Sequence, residues 1–203
     1  MSIRAGLISL FCVFCIGSSA LAEVSSPSAA ESEFVEAFVL ELDSHFTWPA
    51  ARATEGNGKY LVLAAVGDTA WTAQLKTLWA KKTSTGLRTK IRVVEPALIP
   101  SNSHGVFIST DDAEFMASTL KKLSGTGTLT IALGKDLIES GAMVVFYPAT
   151  TDGGPAMSFA LNMVALSAEG LEVSQELRGR ADRVIDKTGS QLASPGTESP
   201  KSD

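Results

Sequence analysis

Few residues in this chain have the types and spacing for chemistry. Gly67-Asp68-Thr69 follows a continuous apolar run, and Ser109-Thr110-Asp111-Asp112 follows another. In open α/β sheets ligands bind beyond the carboxyl ends of strands. If the two runs are neighbouring strands, Asp68, Thr69, Ser109, Thr110 and Asp112 face one crevice, with Trp71 available for stacking. Helix capping accounts for the same residue types, and the spacing of Trp71 and Trp79 with Leu75 and Leu78 is that of a buried helix face. Both readings stay open on the residues alone.

Other constellations say less. Gly125-Thr126-Gly127-Thr128 looks like a phosphate loop but lacks the lysine and the following helix, so a plain helix-to-strand turn is expected. The only histidines are His45 and His104. Zinc takes three or four protein ligands, so no metal site is expected. His45 near the end of a helix suits its negative dipole end. There is no GxSxG nucleophile elbow, and no catalytic set or cofactor motif stands out.

The elements that must carry these residues form one α/β domain. Ser28-Ala29-Ala30-Glu31 fits a capping box. Phe34, Phe38, Leu42 and Phe46 then recur every four residues, and Trp48-Pro49 is expected to end the helix. Gly56-Asn57-Gly58 reads as a turn. Tyr60 to Val66 is apolar throughout, as in a strand buried on both faces. A helix with Trp71 and Leu75 follows, then strands at Thr89 to Val94 and Gly105 to Ser109. A helix capped near Asp112 carries Phe115, Met116, Leu120 and Leu123. Thr128 to Leu133 is a further strand. Ala142 to Tyr147 and Ala156 to Leu161 flank Asp152-Gly153-Gly154, a hairpin signal. A last amphipathic helix is expected from about Ser174, with Leu177, Ala181, Val184 and Ile185 on one face. The expectation is a mixed, mostly parallel sheet of about five to six strands, with helices on both faces and a terminal antiparallel hairpin. The domain spans 28–187, and the polar stretch 188–203 reads as a disordered tail.

The first 22 residues stand apart. Arg4, the apolar run Ala5 to Gly17 and the small residues Ala20-Leu21-Ala22 have the layout of a secretory signal cleaved after Ala22. The run is shorter than the ~20 residues a bilayer crossing needs, so no membrane insertion is expected after cleavage. Both cysteines, Cys12 and Cys15, lie inside this segment, and the exported domain would rely on its core alone. The formal charge of the whole chain is −5 and becomes one unit more negative without Arg4. No basic stripe is present, which argues against nucleic acid as a partner.

In order and spacing these segments resemble the YfiR family of periplasmic regulators. The likeness rests on Phe46-Thr47-Trp48-Pro49 at the close of the first helix and on Leu61 to Asp68 with the basic strand Arg88 to Val93. It rests also on Ser103-His104-Gly105-Val106-Phe107-Ile108-Ser109. The fourth part is Gly141 to Val144, Met157 to Met163 with Asn162, and Gly170 to Ser174 leading to Leu177. The resemblance implies a non-enzymatic periplasmic protein, often dimeric, without a cofactor. Such a protein binds the periplasmic part of an inner-membrane signalling protein, typically a diguanylate cyclase, and related domains serve as sensor modules of kinases. It thereby implies a role in cyclic di-GMP signalling and biofilm control. Two departures bear on this. Ser103 stands where many members have Cys, so a family disulfide is not expected. Ala160 stands where an acid is common. A small-molecule sensor using the crevice, and a hydrolase using Asp68, Ser109 or Asp112, are the alternatives. The signal reading has a direct check: Edman sequencing of the protein recovered from the periplasmic fraction is expected to begin at Glu23, and a start at Met1 or Ser2 would refute cleavage.

Overall fold

The computed structural model describes residues 27–53, 61–67, 70–82, 89–93, 98–110, 112–151, 154–187 and 191–193. The signal segment, Asp68, Thr69 and the Gly56-Asn57-Gly58 turn lie outside these residues. Helix α1 spans Ala29–His45. Its N-terminus is the expected capping box: Ser28 Oγ accepts from Glu31 N at 3.2 Å, and Ser28 N donates to Glu31 Oε2 at 2.8 Å. The helix stops three residues before Trp48-Pro49. Phe46–Thr47 leaves it as strand β1, because the chain there pairs with another strand; short helix α2, Ala50–Ala53, comes next.

The sheet begins with β2, Leu61–Val66, which is buried along its whole length as expected. Helix α3, Ala70–Lys82, precedes β3, Thr89–Val93. Strand β4 is Gly105–Ile108, helix α4 is Ala113–Leu123, and β5 is Leu129–Leu133. A 3-10 turn at Lys135–Ile138 leads to β6, Val144–Thr151, and β7, Gly154–Asn162. Helix α5, Met163–Ala168, strand β8, Glu172–Val173, and helix α6, Gln175–Arg180, follow. Strands β9, Arg183–Ile185, and β10, Gln191–Ala193, close the described chain.

The order β10-β9-β7-β6-β5-β4-β2-β3 makes one mixed sheet, while β1 and β8 pair separately and antiparallel. The β2 to β6 pairings are parallel, and β6 with β7 forms the antiparallel hairpin, Thr151 opposite Gly154. Side chains alternate between two cores, as a pleated strand requires. Leu61, Leu63, Phe107, Ile131, Phe146 and Phe159 face α1, α3, α5 and α6. Ala64, Val66, Val106, Ile108 and Val145 face α4 and the 3-10 turn. Phe146 sits at the middle of the first core, with Phe38 edge-on at 4.9 Å and Phe34 edge-on at 5.9 Å. Among the described residues no helix is long and apolar enough to cross a membrane.

The C-terminal region differs from expectation. The last helix ends at Arg180, and Val184 and Ile185 belong to β9, parallel to β7 with Val184 opposite Leu161. Their three-four spacing from Leu177 and Ala181 imitates a helix face. The open edge of β7 wins, since β-branched residues pack well on a pleated surface. Asp182 N donates to Phe159 O at 3.0 Å and starts the pairing. Val184 then joins the first core and Ile185 packs against the second. Residues 191–193 of the tail expected to be disordered pair with β9, because β9 would otherwise present unpaired backbone groups; the rest of that tail lies outside the described residues. These two strands widen the sheet beyond the five to six expected.

At Gly67 φ is +112°, and an added Cβ would lie 1.9 Å from the carbonyl oxygen of Ser109. Replacing Gly67 with alanine is therefore expected to cost about 3 kcal/mol or more, from backbone strain and displacement of the β4 end. Urea unfolding of the two proteins measures it; a difference below about 1 kcal/mol would contradict this packing.

Candidate functional site

Strands β2 and β4 are parallel neighbours, Val66 opposite Ile108. From β2 the chain passes through α3 to β3 on one side; β4 lies on the other side and continues into α4 on the opposite face. This is a topological switch point, the place where open α/β sheets leave a crevice. Gly67 and Ser109 meet there, and Ser109 N donates to Val66 O at 3.1 Å.

The described crevice residues are largely engaged in holding their own elements. Asp112 is the α4 N-cap; its Oδ1 accepts from Glu114 N at 2.9 Å and Phe115 N at 3.0 Å. Thr110 Oγ1 accepts from Asp112 N at 3.1 Å. Trp71 is 7% exposed and packs beside Phe107, 6.5 Å between ring centres, so it is core and not a stacking platform. Ser109 is buried.

Three further polar clusters appear only in the folded chain. The first joins α1 to α6. His45, 7% exposed, has Nδ1 3.0 Å from Ser174 Oγ and Nε2 3.3 Å from Glu41 Oε2. Arg180 Nη1 donates to Glu41 at 2.9 Å, and that hydrogen bond holds the Glu41 carboxyl below the usual carboxylate range. Its contribution to stability is present above the ordinary carboxyl pKa and fades as pH falls through the lowered one. The Ser-His-Glu order looks like a nucleophile with its base. A nucleophile, however, needs a hydroxyl open to substrate and donors for an oxyanion. Ser174 Oγ accepts from Leu177 N at 3.2 Å as the α6 cap, so the arrangement ties two helices. Ser174 and His45 are 129 residues apart, beyond any spacing rule.

The second cluster is the Gly125-Thr126-Gly127 turn. It is a turn, as expected, with both glycines at positive φ. Its donors do hold an anion, the chain's own: Gly125 N donates to Glu169 Oε1 at 2.6 Å and Gly127 N to Oε2 at 2.8 Å. Successive backbone N–H groups make such anion-holding concavities. Arg52 Nε donates to Thr126 O at 2.6 Å from the other side.

The third cluster joins two of the family-like segments. Trp48 Nε1 donates to His104 O at 2.8 Å, and the two rings meet edge-on at 5.9 Å. His104 Nδ1 accepts from Val62 N at 3.1 Å, which sets the ring as the neutral Nε2–H tautomer. Next to it, Ser103 is 1% exposed and its Oγ has no partner among the described residues. At the other end of the sheet Tyr147 donates to Asp182 Oδ2 at 2.5 Å; burial, then that carboxylate, push the phenol well upward. Among the described residues no three His, Asp or Glu side chains converge on a common point for a metal.

A groove of about 360 Å³ lies between α4 and α5, at the starting ends of β5 and β6. The switch-point crevice lies at the opposite strand ends. Nothing in the local pattern of Ala117 or Ala165 marks a cavity, because the space arises from how two distant helices sit.

Comparison with known proteins gives one family match. The profile of the family described as YfiR/HmsC-like matches residues 32–181. No curated protein matches. Among solved structures the fold is similar to a conserved domain protein from Vibrio cholerae O1 biovar El Tor strain N16961. The identity is 11%, the TM-score 0.53, and the match covers 75% of this chain and 59% of that one. At that identity the likeness concerns fold alone. The ABC domain in complex with L-Trp from Streptococcus pneumoniae matches at 11% identity and a TM-score of 0.47, over 73% of this chain and 59% of that one. The chain thus spans less than two thirds of the length of either structure.

The Trp48–His104 clasp and its unpartnered neighbour have opposite mutational signatures. Trp48→Phe is expected to lower stability by about 1–2 kcal/mol through the lost hydrogen bond and packing. Ser103→Ala is expected to raise it by up to about 1 kcal/mol, since a buried hydroxyl without a partner is removed. Paired urea melts decide the matter, and a Ser103→Ala protein less stable by 1 kcal/mol or more would show that Ser103 Oγ is satisfied.

Proposed function

The chain belongs to the YfiR/HmsC-like family, and from that premise we propose that it is a periplasmic, non-enzymatic regulator of an inner-membrane diguanylate cyclase. The observation that carries this reading is the family match over residues 32–181, nearly the whole folded domain. The family is one of regulators of diguanylate cyclase signalling. The signal-like residues 1–22 agree with export. The engagement of His45, Ser174, Thr110 and Asp112 in ties and caps agrees with a protein that acts by binding. A regulator of this kind works by engaging one state of its partner better than another, and it shifts populations only by that difference in affinity. A second copy of the chain is a further partner in this reading.

A second reading is a small-molecule sensor at the crevice of Asp68, Thr69, Ser109, Thr110 and Asp112. The switch point between β2 and β4 is what favours it. It differs from the regulator in needing a ligand for its cellular effect.

Deletion of the gene is expected to raise cellular cyclic di-GMP and biofilm mass, with restoration by the wild-type chain. Tagged protein solubilised from membranes is expected to co-purify a transmembrane cyclase. Unchanged cyclic di-GMP together with no membrane signalling protein recovered would sink the proposal.

A further inference from the structure

The groove between α4 and α5 has a consistent chemistry. Its volume, about 360 Å³, falls at the lower end of the roughly 300–1,000 Å³ typical of small-molecule sites. Both helices line it with side chains that stop at Cβ, Ala117 on α4 and Ala165 on α5, so space is left where longer residues would interdigitate. Half-buried Leu120 and buried Met143 make its apolar surface.

Most polar side chains at this groove can donate a hydrogen bond. Thr130 lies at the floor, 2% exposed. Its Oγ1 accepts from Met143 N at 3.1 Å, which uses a lone pair and leaves the hydroxyl hydrogen to donate. Lys121 stands exposed at the rim with three donors and no acceptor. Glu169 also lines the groove, but its two carboxylate oxygens are already engaged, accepting from Gly125 N at 2.6 Å and Gly127 N at 2.8 Å. Among the described residues Lys121 makes no ion pair. The hydroxyls of Ser124 and Ser140 add further donors at the mouth.

A largely apolar cleft with a hydroxyl donor below, and at its edge Lys121, which has no ion pair among the described residues, suits a particular ligand. We infer that this groove binds a small monocarboxylate with a short apolar body. The carboxylate would meet Lys121, and the body would lie on Leu120 and Met143 over Thr130. The site is at the opposite strand ends from the switch-point crevice and does not depend on the identity of a membrane partner.

Hexanoate and 3-phenylpropionate serve as probes, with hexan-1-ol as the uncharged control, titrated into the purified protein by ligand-observed NMR and thermal shift. Saturable binding of a carboxylate is expected, with Tm rising with probe concentration and hexan-1-ol binding about tenfold more weakly. Lys121→Gln is expected to weaken carboxylate binding about threefold to fivefold. Ala165→Leu, which fills the groove, is expected to abolish it while the protein stays folded. Thr130→Val is expected to weaken it severalfold. If Lys121 only serves the negative end of α4, Lys121→Gln will leave probe affinity unchanged, and the inference fails. It fails equally if neither carboxylate binds saturably up to the order of 10 mM, or if Ala165→Leu binds like the wild type.

Discussion

The indole of Trp48 and the ring of His104 hold together the end of the molecule where the parallel strands start. Trp48 reaches the carbonyl of His104, which also accepts from Leu129 N, and the His104 ring accepts the first ladder-side N–H of β2. One residue from the exit of α1 is thereby linked to β2, β4 and β5. The rest of that end follows. Pro49 packs over Gly127 and Gly170, so their lack of a side chain matters; an added Cβ at Gly127 would lie 2.9 Å from the proline ring. Arg52 is carried to the carbonyls of Ser101 and Thr126. Phe46 and Thr47 are laid beside Val173 and Glu172. A buried polar arrangement of this sort is favourable only when each member is satisfied, and Ser103 shows the exception, a buried hydroxyl with no partner among the described residues.

The same end explains why the short helices after β7 are fixed. Glu169, past the end of α5, is pinned by the 125–127 turn, and Ser174, at the start of α6, is pinned by His45. Helices of six residues have little intrinsic stability, so these long-range contacts and the burial of Leu166 and Leu177 must hold them. The groove beside α5 borders these contacts through Glu169. Its wall is held at both ends by Asn162, the N-cap, and by Glu169.

Membership of the YfiR/HmsC-like family and an α/β sheet agree with each other, but they speak to different questions. The fold supplies a switch-point crevice that many α/β proteins use for ligands. In this chain the crevice side chains that are described serve as caps and core. A site for a protein partner leaves no comparable signature in residue types, since binding surfaces are built from ordinary side chains whose meaning depends on what lies opposite.

Much of the architecture was legible in the sequence because it is written locally. The capping box at Ser28, the all-apolar β2, the Asp112 cap of α4 and the β6–β7 hairpin each rest on residues within a turn or two of one another. The family, too, was readable, from the order of such segments. Tertiary structure alone decided the remainder. Val184 and Ile185 could complete a helix face or a strand, and the open edge of β7 settled which. Residues 191–193 read as polar tail until β9 offered them a ladder. The glycine turn at 125–127 looked like a failed phosphate loop, and it does hold an anion, a carboxylate from 42 residues away. His45 suits the negative end of its helix dipole, yet its partner Ser174 lies across the fold. Spacing rules reach only a few residues, whereas the energies that fix these choices come from hydrogen bonds and burial between segments that meet only after folding.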